Sequence, residues 1–134
     1  MIPARLSPDR LAKALAARLD AVVPDSISVR ANGDGVGVYD PEWWGDSVIA
    51  DIAGTEDGRS ITERVEAAAV AIMDATQDKV MESTKEQWPL GPAGAANPDA
   101  RVVGHELHLW FGDEAAPVLR LQPVDLNELV DGAA

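Results

Sequence analysis

The longest run of helical periodicity in this chain begins at Ser60 and restricts the possible folds more than any other feature. Ser60 and Glu63 form a capping box, in which each side chain accepts the other residue's backbone N–H. Residues suited to burial then recur at helical spacing to about Gln87; they are Val65, Ala69, Ile72, Thr76 and Val80. A helix with one apolar face must pack against another element, so the pattern requires a second layer.

A second helix is predicted near the start of the chain. Ser7 is a favourable N-cap, and Pro8 occupies the first helical position, where a missing N–H costs nothing. An apolar stripe follows at helical spacing until Pro24; it consists of Leu11, Leu15, Leu19 and Val22. We expect this face to be buried as well.

Between the two helices the pattern changes to a period of two, which is typical of half-buried strands. Residues 26–31 alternate in polarity, and 32–35 (Asn-Gly-Asp-Gly) tolerate the positive φ angles of a tight turn. Residues 36–39 are therefore predicted to return as the second arm of a hairpin. A turn containing Pro41 and Gly45 should precede a third strand over 47–52.

The C-terminal part of the chain is predicted to be a loop followed by two strands. Residues 89–100 are rich in proline, glycine and alanine without any period, which predicts a flexible loop. Residues 102–111 alternate throughout and are read as one strand, and 118–124 form its antiparallel partner. Asp125 should cap a short final turn, with a frayed tail over 131–134.

These elements predict an α+β fold in the order α-β-β-β-α-β-β, with an optional short C-terminal helix. The simplest arrangement has two layers, with about five antiparallel strands covered on one face by two helices. A chain of 134 residues suits a single domain over 1–134.

Charge and composition narrow the functional classes. The chain has 23 acidic and 11 basic residues and a net charge of -12, which repels nucleic-acid phosphates and anionic lipids. We therefore expect no direct nucleic-acid or membrane partner. The chain has no cysteine, so it has no thiol nucleophile or thiolate metal site. Neither a secretory signal nor a membrane span is recognisable, so the expected location is the cytoplasm where the protein is made.

The residues that most resemble a reactive cluster are His105, Glu106 and His108. On a continuous strand, residues three apart point to opposite faces, so these imidazoles should not converge on one ion. The glycines of 32–37 fit neither a dinucleotide fingerprint nor a calcium loop, because a strand follows them and the ligand positions are wrong. We accordingly predict no metal, no cofactor and no enzymatic activity.

Protein-interface candidates come from two patterns. Trp43 and Trp44 are adjacent in a turn, so one indole should face solvent unless a lid buries both, and Trp110 poses the same question. Four acidic residues recur every four positions on the second helix; they are Asp74, Asp78, Glu82 and Glu86. We call these four the acidic ridge. Its like charges oppose helix formation, so either a basic partner or simple solvation and the nearby lysines offset them.

The chain length, the element order and the closing segments 107–113 (Leu-His-Leu-Trp-Phe-Gly-Asp) and 117–121 (Pro-Val-Leu-Arg-Leu) carry a resemblance. They resemble small proteins of the head-to-tail gene blocks of actinobacterial phages, including the tail terminators of long-tailed phages. The resemblance implies a virion neck or tail-completion subunit that oligomerises and contacts neighbouring assembly proteins. It covers the general pattern of most of the chain and transfers no functional residue.

Two other functional classes remain open. An acidic cytoplasmic binding module, similar to secretion chaperones or to toxin-neutralising immunity proteins, fits the charge and the element order. A small enzyme using scattered carboxylates would require a pocket in which several acids converge.

Overall fold

A computed structural model describes residues 7–33, 35–40, 43–49 and 60–129, with 43–49 described as backbone only. Helix α1 spans Pro8–Asp20. Ser7 is its N-cap as predicted, and the serine hydroxyl accepts the Arg10 N–H at 3.2 Å. The apolar stripe is buried and comprises Leu11, Ala12, Leu15, Ala16 and Leu19.

Helix α2 spans Ile61–Thr84 and carries the predicted capping box. The Glu63 N–H donates to the Ser60 hydroxyl, and the Ser60 N–H donates to the Glu63 carboxylate, both at 3.1 Å. The helix ends earlier than the predicted Gln87, because Lys85 adopts a left-handed C-cap conformation with φ of 61°. Its 24 residues measure about 36 Å at 1.5 Å per residue.

The first sheet is antiparallel, with strands in the order β1-β2-β3. Strand β1 spans Ser28–Asn32, β2 spans Gly35–Asp40 and β3 spans Trp43–Ile49. The predicted hairpin between β1 and β2 is confirmed, and Gly33 takes a positive φ of 62° in its turn. The third strand begins before the predicted position, so Gly45 lies in the strand and not in a turn.

The second sheet replaces the single strand predicted over 102–111 with a hairpin. Strand β6 spans Pro98–Val103 and pairs with β7, Glu106–Asp113, across a turn at Gly104 and His105. Gly104 has a φ of 64°, which ends the first strand. Strands β8, Ala116–Arg120, and β9, Val124–Asp125, both pair with β7.

The segment 89–100, predicted as a flexible loop, contains regular structure. Strands β4, Leu90–Gly91, and β5, Gly94–Ala95, form a small hairpin, and β6 begins at Pro98. Buried Gln77 of α2 donates its side-chain N–H to the Ala96 carbonyl at 2.5 Å. The prediction failed because this segment is held by contacts with α2 that its own composition does not encode.

The α+β class is confirmed, but the strands form several small antiparallel sheets instead of one. Helix α1 packs on β1 and β2, while α2 contacts β2, β3 and β6 and so bridges the two larger sheets. A short 3-10 turn over Leu126–Leu129 confirms the predicted final turn, and the tail 131–134 lies outside the described residues. The buried side chains of both sheets and of the helices form one apolar cluster.

Candidate functional site

Three residues of the acidic ridge, Asp74, Asp78 and Glu82, are exposed on the solvent face of α2. Lys79 lies 3.6 Å from Glu82, an exposed pair of small energetic value. Glu86 is exposed but follows the left-handed C-cap at Lys85, so it does not continue the helical row. The structure thus brings three of the four predicted acids onto one surface.

Of the three predicted interface tryptophans, only Trp110 has a described side chain. It is 2% exposed, and its indole N–H donates to the Gly112 carbonyl at 3.1 Å. Trp110 therefore offers no surface anchor, because its ring is buried and its indole N–H is already hydrogen-bonded within the chain. The backbones of Trp43 and Trp44 lie in β3, and the question of their exposure lies outside the described side chains.

The two histidines meet different carboxylates. His105 Nδ1 lies 3.1 Å from Asp125 Oδ1, and His108 Nε2 lies 3.5 Å from Glu106 Oε1, all partly exposed. The Leu126 N–H donates to the His105 carbonyl at 2.8 Å, so the β6–β7 turn is tied to the β9 region. Within the described ranges, no group of three His, Cys, Asp or Glu side chains is placed to hold a metal ion.

The edge strand of the second sheet is closed along β6. Its register directs the backbone groups of positions 98, 100 and 102 away from β7. Pro98 has no N–H, the Ala100 N–H donates to Asp99 Oδ1 at 2.8 Å, and the Val102 N–H donates to Glu66 Oε2 at 2.7 Å. Because every outward donor is absent or satisfied, a further strand gains little by adding there.

At the β1 edge of the first sheet, a helix side chain satisfies one outward backbone N–H in the same way. The Val29 N–H points away from β2 and donates to Asp20 Oδ1, at the end of α1, at 2.9 Å. Each of the two helices therefore uses one carboxylate to satisfy an edge-strand N–H: Asp20 on α1 and Glu66 on α2. Sequence periodicity did not identify this role, since both acids look like ordinary helix-surface charges.

The edge formed by β8 and the residues after it differs. The Leu121 N–H donates to the Leu109 carbonyl at 3.0 Å, which points the backbone groups of Leu121 towards β7. By the alternation of antiparallel pairing, Arg120 directs its backbone N–H and C=O outward, and Gln122 lies just beyond the end of β8. We call residues 120–122 the open edge.

A recess of about 650 Å³ lies between the open edge and the C-terminal half of α1. We call it the arginine groove. It is lined by Ala17, Arg18, Ala21 and Val22 of α1 and by Arg120, Leu121, Gln122 and Pro123. Both charged side chains of this lining are arginines, so the local charge is opposite in sign to the net charge of -12.

The two arginines differ in how they are held. Arg18 Nη2 donates to the Pro123 carbonyl at 3.1 Å, which spans the groove at one end. Arg18 Nε is buried and has no hydrogen-bond partner among the described residues. Arg120 is exposed, and its side chain forms no ion pair with the part of the chain described. Sequence analysis missed this pair because 102 positions separate the two arginines and no local pattern joins them.

Comparison with protein-family models, with curated proteins and with solved structures finds no match in any of the three. Neither of the described helices is both long enough and apolar enough to cross a bilayer.

Proposed function

We propose that this protein is a non-enzymatic assembly subunit, of the kind found at the neck or tail end of a phage virion, and that it works through protein–protein contacts. The observation that carries the proposal is the unequal treatment of the sheet edges. Side chains satisfy the outward donors of β6 and the Val29 N–H of β1, while the open edge keeps its backbone groups available.

Because the β6 edge on the opposite side of the sheet is closed, the open edge favours a directional contact, in which it pairs with an extended segment from a different surface of the next subunit. Natural proteins block exposed edge strands to prevent unwanted pairing, so an edge left open is a site for intended pairing. A contact between two different surfaces repeats from copy to copy, and it gives a ring when the rotation closes. A homo-oligomer bound to neighbouring assembly proteins would be made in the cytoplasm and end in the virion.

The experiment is size-exclusion chromatography with light scattering over a wide concentration range, followed by negative-stain microscopy. We expect the wild type to form a ring or a concentration-dependent oligomer. Arg120→Pro should abolish assembly without lowering the melting temperature, because proline removes an edge N–H and is tolerated on edge strands. Arg120→Lys is the matched control, because it keeps both the edge N–H and the positive charge.

Two results would contradict the assembly role. One is a wild-type protein that stays monomeric at every concentration tested. The other is an Arg120→Pro variant that assembles as well as the wild type. Capsid and tail genes beside the coding gene would support the phage setting independently.

The acidic ridge favours a second candidate, an acidic binding module with a basic client. Three exposed carboxylates on one helix face attract a cationic surface at moderate salt. A stable dimer in light scattering, rather than a ring, would favour this chaperone-like function. Loss of client binding in Asp74→Asn/Asp78→Asn, with normal folding, would then place the client on the ridge.

A further inference from the structure

We propose that the arginine groove binds an extended, carboxylate-bearing segment of a partner protein, which pairs with the open edge and places a carboxylate between Arg18 and Arg120. The inference rests on the proposed function, since it names the chemistry of the partner at the same edge. It adds a ligand class that protein–protein assembly alone does not specify.

The charge of the groove lining favours an anionic ligand. The groove is lined by two arginines and by no acidic side chain. At physiological salt, charges more than about 8 Å away are largely screened, so the charges of the lining itself count most in attracting an anion. A carboxylate is therefore attracted locally, even though the whole chain is acidic.

The hydrogen bonding of Arg18 favours a carboxylate in particular. Its Nη2 bond to the Pro123 carbonyl fixes the guanidinium at the groove wall and leaves other donors of the planar group unused. Buried polar atoms normally have a partner, so the unpartnered Nε calls for an acceptor that the described chain does not supply. Guanidinium groups pair with carboxylates through two parallel N–H···O bonds, so a carboxylate is the acceptor that matches this planar group best.

The backbone of the open edge favours a ligand that is an extended polypeptide. Arg120 presents its outward N–H and C=O groups along one wall of the groove, the arrangement that strand addition uses. Ala17 and Ala21 on the opposite wall are small and leave room for a second backbone. The volume of about 650 Å³ lies in the range of ordinary ligand pockets.

The remaining lining sets the residue types beside the carboxylate. Val22, Leu121 and Pro123 are apolar, so small apolar side chains suit the positions flanking the acid. Nucleic acid is the less favoured ligand, because affinity for a phosphate backbone grows with the number of cations and the groove offers two.

The test uses a labelled peptide and the intact protein at a dilution where light scattering shows no assembly. The probe is fluorescein-labelled Val-Glu-Val-Glu-Val-Glu amide, and binding is measured by fluorescence anisotropy. Matched probes replace glutamate by glutamine or methylate alternate backbone nitrogens. We expect the glutamate peptide to bind and both matched probes to bind at least tenfold more weakly.

Variants locate the site. Arg120→Gln should weaken binding of the glutamate peptide by roughly tenfold to a hundredfold, since it removes a charge-assisted contact at an exposed position. Arg18→Lys keeps the charge but loses the planar fork, so an intermediate loss is expected. Arg101→Gln, at an exposed position on β6, removes the same charge outside the groove and should change affinity less than about twofold.

Each alternative outcome overturns the proposal. Equal binding of the glutamate and glutamine peptides would refute recognition of a carboxylate, and equal binding of the methylated peptide would refute strand addition. An equal loss of affinity in Arg101→Gln would refute binding in the groove. Absence of binding up to about 1 mM, or displacement of the peptide by oligothymidine, would refute an acidic protein segment as the ligand. Because the dilute protein is used, peptide binding can succeed even if self-assembly fails.

Discussion

Replacing Glu66 by alanine tests whether a helix carboxylate closes the β6 edge. The Glu66 carboxylate accepts the Val102 N–H at 2.7 Å in a partly buried position. A hydrogen bond to a charged group contributes about 1.5–3 kcal/mol, and the higher helix propensity of alanine returns a few tenths of that. We expect Glu66→Ala to lower the free energy of unfolding by about 1–2.5 kcal/mol.

Equilibrium unfolding in urea, followed by circular dichroism, measures this loss. With a urea slope of about 1–3 kcal/mol per molar, a loss of 2 kcal/mol lowers the midpoint by roughly 1 M. Glu66→Gln keeps an oxygen acceptor and should lose less than the alanine variant. The slope itself should not change, because the buried surface is the same.

Asp74→Ala is the matched control on the exposed face of the same helix. It removes a carboxylate that lies one turn from Asp78, so it should be neutral or stabilising by about 0.2–0.5 kcal/mol. Glu66→Ala should therefore lower the urea midpoint clearly, whereas Asp74→Ala should leave it unchanged or raise it slightly. Equal midpoints for Glu66→Ala and Asp74→Ala would refute the closing role of Glu66.

Three further predictions concern stability, each measured by urea unfolding. Gln77→Ala leaves the buried Ala96 carbonyl without its partner and should cost about 1–3 kcal/mol; an unchanged midpoint would mean that the 89–96 segment is not held by α2. Phe111→Ala removes a fully buried ring whose centroid lies 5.4 Å from that of Trp88 in an edge-on contact. The free energy of unfolding should fall by about 3–5 kcal/mol, and a fall below about 1 kcal/mol would contradict its place in the core. Ser60→Ala breaks the capping box and should cost about 1 kcal/mol, whereas Ser60→Gly should cost only a few tenths; similar losses in both would count against the cap.

The helices were predictable because their signals are local. Ser7 and Ser60 each begin a helix through bonds made within three residues, so the sequence contains both partners of each cap. The hairpin of β1 and β2 was predictable for the same reason, since its turn residues lie between two alternating segments.

The error at 102–111 has a physical cause in the period of two. A two-residue turn at Gly104 and His105 interrupts the strand but leaves the alternation of residue types almost intact. The faces are exchanged across the turn, so Val103, expected beside Leu107 on one face, is 51% exposed while Leu107 is buried. Periodicity alone does not show where a strand folds back on itself.

The arginine groove was beyond local reasoning. Arg18 and Arg120 belong to different elements, and each alone reads as a surface charge on an acidic protein. They line one recess because the fold brings the end of α1 and residues 120–123 together over a separation of about a hundred positions, which no local pattern encodes. The closing carboxylates Asp20 and Glu66 were missed for the same reason.

Amide hydrogen exchange, followed by NMR on the dilute protein, measures directly whether the β8 edge is open at Arg120 while the β6 and β1 edges are closed at Val102 and Val29. We expect slow exchange for the Val29 and Val102 amides, which donate to carboxylates, and fast exchange for the Arg120 amide. Glu66→Ala should accelerate exchange of the Val102 amide more than that of the Val29 amide. If the Arg120 amide were protected as strongly as the Val102 amide, the β8 edge proposed for docking would already be closed, and the proposed docking site would be wrong.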